Sequence, residues 1–264
     1  MSLFLSSVPV VLFSAFATGL VIGSFLNVVI LRGARGEGFG GRSRCDHCGT
    51  QLQVCELIPI VSFVCQKARC RSCGAVLSWQ YPLVEALAAF VFFFLAWRFF
   101  PFAQTGIVPA LLFFLAFPAS AALIVLVVSD LKFQILPDGA TATLAIFAVV
   151  VGLVRGTLLA DTIAALAFAL FFAALWFFSH GRWMGFGDAK LILATSLVIG
   201  FPASIAGFLF SFWLGGVVGV FLMAVGSKEL QSRIPFGPFI IAGALLAYFF
   251  SPSFLAITGL SLMF

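Results

Sequence analysis

Two carboxylates stand in stretches of this chain where an apolar segment should carry none. Asp130 ends the run Leu123-Ile-Val-Leu-Val-Val128-Ser-Asp130, and Asp188 opens another in Gly185-Phe-Gly-Asp188-Ala-Lys190-Leu. An ionisable group at membrane depth is expensive and marks function by default. The two are 58 positions apart, with two candidate spans between them, so parity returns both to the same membrane boundary. Two facing carboxylates suffice for aspartyl peptide hydrolysis. One, ionised, takes a proton from water while the other, protonated, polarises the scissile carbonyl. Like charges about 3 Å apart cannot both ionise, so such a pair holds one proton over a useful pH range. Gly185 and Gly187 fit a substrate-binding role, because without side chains they let an extended peptide approach the carboxylate.

The other acids have plainer readings. Asp188 taken alone is equally a helix cap. Pro137-Asp138 looks like a turn and helix start, where an acid suits the dipole. Glu85 sits near a span entrance after Tyr81-Pro82 and is open to three readings: a helix-start acid, a partner for a basic residue, or a contact to substrate or cofactor. Asp161 lies at the edge opposite the Asp130/Asp188 pair. Asn27 is a candidate for joining helices, and Gly19/Gly23 and Gly215/Gly219 are small-residue packing pairs. No Ser/His/Asp set competes, since His47 and His180 are the only histidines.

A second chemistry is carried by Cys45-Asp-His-Cys48 and Cys70-Arg-Ser-Cys73, separated by 21 residues, with Gly49 and Gly74 following each pair. Two CxxC knuckles at such spacing predict a tetrahedral four-cysteine zinc site built of Cys45, Cys48, Cys70 and Cys73. Arg44, Arg69 and Arg71 would offset its net negative charge. Two disulfides are the competing use, disfavoured if the segment is cytoplasmic. With four protein ligands the Zn2+ would be structural, since no position is left for water. Cys55 and Cys65 lack matching partners and are expected to be small buried apolar residues.

The elements that must position these groups follow from composition. Of 264 residues, 63% are hydrophobic and 9% charged, far from the balance of a soluble domain. The fold class is therefore all-α and polytopic in a lipid bilayer, with about eight transmembrane helices and a cytoplasmic zinc loop between the first two. By length the spans fall near 8–31, 83–100, 107–129, 138–154, 161–179, 189–201, 204–225 and 235–251, and 252–264 either extends the last helix or lies at the interface. The first stretch lacks a basic flank and a small-residue cleavage site, so it reads as a retained helix. Pro101, Pro137, Pro202 and Pro235 mark helix ends. The Phe-rich runs suit lipid-facing surfaces.

The net charge of +5 does not point to nucleic acid, because of where the basic residues lie. Seven of the 14 Lys/Arg fall between Arg32 and Arg71. With segment 32–82 in the cytoplasm, twelve of 14 lie on that side, including Lys132, Arg182, Lys190, Lys228 and Arg233, and only Arg98 and Arg155 lie opposite. That is the positive-inside pattern. It places the zinc loop and the Asp pair at the cytoplasmic face. The chain divides into residues 1–100, holding two spans and the loop, and residues 101–264, holding the remaining spans and the acids.

Together the motifs resemble bacterial type IV prepilin peptidases. Gly23-Ser-Phe-Leu-Asn-Val-Val29 with Arg32, the paired CxxC motifs, Glu56-Leu-Ile-Pro59 and Tyr81-Pro-Leu-Val-Glu85 look like the family's N-terminal domain. Asp130, Leu136-Pro-Asp138, Gly185-Phe-Gly-Asp188-Ala-Lys190 and Ile234-Pro-Phe-Gly-Pro238 are similar to its GxGD aspartyl peptidase domain. The resemblance implies an inner-membrane aspartic endopeptidase with Asp130 and Asp188 catalytic and the four Cys metal-binding. It implies prepilins or type II secretion pseudopilins as substrates, cut after a Gly to release a basic leader. It also implies N-methylation of the new terminus with S-adenosylmethionine. Segment 33–44, rich in Gly and Arg, lacks the Pro of many relatives. The competing functions are a proton- or cation-coupled transporter, which would spread acids through the bilayer depth, and a non-enzymatic scaffold whose zinc loop recruits a partner.

Overall fold

The computed structural model describes residues 2–225 and 234–257, and side chains within 8–225 and 234–250. The loop 226–233, with Lys228 and Arg233, and the tail from 258 lie outside the described residues. Among the described residues the chain is helical, with two isolated bridges in place of a sheet. Its helices are α1 (Ser2–Ala34), α2 (Val61–Cys65), α3 (Gln80–Ala103), α4 (Ile107–Phe133), α5 (Asp138–Arg155), α6 (Leu158–Ser179), α7 (Phe186–Ile199), α8 (Ala203–Ala224) and α9 (Gly237–Ile257). The eight helices other than the single-turn α2 match the eight expected spans in order. Six of them, α1, α3, α4, α5, α6 and α8, are long and apolar enough to cross a bilayer. The protein is a multi-pass membrane protein.

Two differences from the expected boundaries have physical causes. Pro101 does not end its helix but lies in the last turn of α3, where the bond its missing N–H forfeits weakens only the helix end. Asp188 lies inside α7, in its first turn, and not just before it. Pro137 and Pro202 stand at the N-caps of α5 and α8.

The chain forms two compact units, residues 1–125 and 126–264, with α4 running through the division. In the first, α1 packs along α3. A Cβ on Gly19 would fall 2.6 Å from Ala89 Cα, and one on Gly23 would fall 2.6 Å from Glu85 Cα. The glycines therefore let the two backbones touch, with Ala88 and Ala89 fully buried at the seam. Asn27 fastens the same pair: its amide donates to the Gly23 and Tyr81 carbonyls, and it accepts from Gln80.

In the second unit, α7 is central and packs against α5, α6, α8 and α9. Eight of its 14 residues are buried, among them Ala189, Ala194, Thr195 and Ser196. These small residues, set among the buried Leu191, Ile192 and Leu197, let a helix surrounded by others pack closely. The Phe residues divide between two roles. Phe172 is fully buried in a cluster of rings with Phe171, Phe208, Phe212 and Phe236. Phe90, Phe114, Phe177 and Phe178 face outward, where lipid would meet them.

Candidate active site and metal centre

Asp130 lies near the end of α4, after an apolar stretch that buries Ile124, Val125 and Leu126. It is 5% exposed, and its Oδ2 accepts a 2.8 Å hydrogen bond from the backbone N–H of Gly237, the first residue of α9. That N–H is one of the donors a helix start leaves without an internal partner, and the N-terminal dipole favours an anion there. A Cβ at 237 would lie 2.7 Å from the same carboxylate oxygen, so a side chain there would force the carboxylate to move.

Asp188 is 7% exposed, and its Oδ2 accepts from the Gly185 N–H at 3.1 Å. This is the cap contact of a helix start, so the plain reading of Asp188 is realised in the geometry while one oxygen stays outside it. The two acids lie at the same end of the unit. Leu136 stands between their supports. The nearest of its atoms lies 3.1 Å from the point a Gly187 Cβ would occupy and 3.3 Å from the corresponding point at Gly237. A peptide reaching Gly187 would have to displace Leu136. Neither acid is ion-paired among the described residues, whereas the two other acids of the unit that the structure describes are. Asp138, first residue of α5, pairs with Lys190 at 2.7 Å, and Asp161 pairs with Arg155 at 3.5 Å. Sequence reasoning gave Gly237 no role; the signal was a glycine before proline at a helix start, inside a motif already noted.

The cysteines converge as expected. In each knuckle the first Cys N–H donates across the turn, to Thr50 O from Cys45 and to Ala75 O from Cys70. The Gly49 and Gly74 N–H groups donate to the Cys45 and Cys70 carbonyls, with φ of +70° and +71°. These left-handed residues close both turns alike. The four Sγ atoms lie within 4.8 Å of one another, and a tetrahedral zinc with bonds of about 2.3 Å sets sulfurs about 3.8 Å apart. The donor set therefore fits zinc.

The thiols already differ in ionisation. The hydroxyl and backbone N–H of Thr50 draw Cys48 down to about 6, and the Cys73 and Ser72 backbone amides lower Cys70. At Cys73 the Ala75 amide pulls downward, but burial and bonds with Cys70, Cys48 and Cys45 push it up to about 11. Four crowded thiols cannot all ionise unaided, and a divalent cation relieves that.

Glu85 corrects the reading of a helix-start acid. It is buried within α3 and accepts the Ile60 N–H at 2.8 Å. Ile60 has φ +59°, unfavourable for a β-branched residue, and Glu85 holds it in place. Cys55 and Cys65 are not buried as expected. Both are exposed and line a cleft of about 410 Å³ with Glu56, Ser62 and Arg69. The cause is local: single helical turns at 54–57 and 61–65 have no apolar layer to sink into.

Residues 17–99 match the bacterial peptidase A24 N-terminal domain and residues 117–220 match the type IV leader peptidase family. The four cysteines fall in the first match, and both Asp130 and Asp188 in the second. A prepilin leader peptidase/N-methyltransferase of Bacillus subtilis is 31% identical, over 91% of this chain and 95% of the relative. One of Burkholderia pseudomallei (strain 1026b) is 31% identical over 93% and 87%, and one of Stutzerimonas stutzeri 29% over 91% of each. No solved structure matches. On this similarity over about nine tenths of its length, the chain belongs to the type IV leader peptidase family.

Proposed function

We propose that the protein is a membrane aspartic endopeptidase that removes the basic leader from type IV prepilins or pseudopilins, with Asp130 and Asp188 as its catalytic pair. The observation that carries this is two buried carboxylates at the same end of the unit, without basic partners among the described residues, each bound by one backbone N–H. One carboxylate takes a proton from water as the oxygen attacks the scissile carbonyl carbon. The other, protonated, donates to the carbonyl oxygen. Collapse of the resulting diol breaks the C–N bond, and a proton passes to the departing amine. No covalent intermediate is needed.

The active end and the loop 32–82 face the cytoplasm of an inner membrane, where the leader's basic residues lie. Cys45, Cys48, Cys70 and Cys73 hold zinc, which fixes the loop's fold and leaves no open position for chemistry. After cleavage, the new amine takes a methyl group from S-adenosylmethionine. A transporter would need acids along the bilayer depth. In the second unit, Asp138 is paired at one end of α5 and Asp161 at the other, with no acid between them along that helix.

Purified protein incubated with a prepilin and S-adenosylmethionine should yield, by mass spectrometry, a shortened product heavier by one methyl group. Asp130→Asn and Asp188→Asn should each fold and lower cleavage at least about 10²–10⁴-fold. A folded variant that cleaves at the wild-type rate would remove that residue from the mechanism.

A further inference from the structure

α5 and α7 run side by side in the same direction and are tied at both ends. At one end Asp138 meets Lys190; at the other, Arg155, the last residue of α5, donates to the carbonyls of Leu197, Val198 and Ile199, which end α7. The last carbonyls of a helix have no internal donors and carry the negative end of its dipole. One guanidinium takes three of them. Asp161 orients it at 3.5 Å while accepting the Thr157 hydroxyl and the Phe201 N–H, each at 2.8 Å. The Asp161 side chain is wholly buried, a costly position for a charge unless every oxygen is engaged. Gly200 completes the clamp, because a Cβ there would overlap the guanidinium.

This clamp stands at the opposite end of α7 from Asp188 and touches no reacting group. Its consequence follows from length. α7 has 14 residues, about 21 Å, against about 30 Å of hydrocarbon. A helix that short cannot set its depth by matching the bilayer. Five of its eight buried side chains are no larger than Asp, so contacts at its ends carry a large share of its register. A slip of one residue shifts Asp188 by about 1.5 Å and turns it by about 100°. Misplacement near 1 Å costs about 10²-fold in rate.

We propose that Arg155, oriented by Asp161, is a positioning residue that fixes the axial position and rotation of α7, and so the height at which Asp188 meets Asp130. The proposal rests on the catalytic pair named above. The test uses the full chain in bilayer nanodiscs, with prepilin cleavage and amide hydrogen exchange measured together. Arg155→Ala should lower kcat about 100-fold with KM nearly unchanged and speed exchange in the first turn of α7 at residues 188–191. Arg155→Lys, which keeps the charge and one donor direction, should regain part of kcat. If Arg155→Ala does not fold, Asp161→Asn, which keeps the shape, is read the same way. A wild-type kcat in the folded variant, or a loss that follows only the folded fraction with unchanged exchange at 188–191, overturns the proposal. If the wild-type protein does not cleave prepilin, the catalytic reading falls, and the exchange measurement alone decides whether the clamp governs the Asp188 turn.

Discussion

At the scale of single residues, Gly237 links a helix start to a catalytic candidate. Its N–H reaches Asp130 at 2.8 Å because nothing occupies the Cβ position. Gly237→Ala should push the carboxylate away and lose a hydrogen bond to a charged group, worth about 1.5–3 kcal/mol, or about 10–150-fold in cleavage rate. The variant should remain monodisperse on size exclusion, and an unchanged rate would show that Asp130 works without this contact. Asp130 and Asp188 could be singled out in the sequence because each stands at the edge of an apolar run, although Asp188 also makes the cap contact that reading allowed. Gly237 could not, because a glycine's partner lies 107 positions away and only the fold brings them together. Glu85 misled for the same reason: its place near a span entrance suggested a helix-start acid, while its partner, the Ile60 N–H, belongs to a loop whose path the sequence does not display.

At the scale of elements, the two knuckles were the most readable feature. CxxC followed by glycine encodes its own turn, and both copies fold alike. The single-turn helices between them were not readable, since Val54–Leu57 and Val61–Cys65 are too short for any periodicity to emerge. That is why Cys55 and Cys65 were expected inside and are found outside. Cys48→Ser or Cys73→Ser should reduce bound zinc from one equivalent to none by elemental analysis and expose segment 35–78 to protease. Metal retention should also depend on pH in one direction. Each thiolate must take up a proton on release, so affinity falls as pH falls. The ligand set spans Cys48, drawn down to about 6, and Cys73, pushed up to about 11, and zinc lowers every thiol, so retention at neutral pH and release on acidification are expected. Full release at neutral pH, or retention in the serine variants, would remove these four cysteines as the ligand set.

At the scale of the whole molecule, the positive charges and the short helices constrain the same topology. Eight spans place twelve of the 14 Lys/Arg on one side, and the weakest member of that count is α7, too short to cross by length alone. Its end contacts answer the doubt. Lys190 in its first half reaches the start of α5, and its last carbonyls reach the end of α5. A helix that keeps pace with a spanning neighbour from end to end has the parity of a span, whatever its length. Asp130, Asp138 and Asp188 therefore share a side, and Arg155, Asp161 and Phe201 share the other. The positive-inside pattern supports the proposal that the side of the Asp pair is cytoplasmic. Alkaline phosphatase fused after Thr105 or Gly156 should be active in the periplasm, and fused after Gly38 or Gly181 inactive. An active fusion after Gly181 alone would mean that α6 does not return. The two acids would then lie on opposite leaflets and no shared proton could join them.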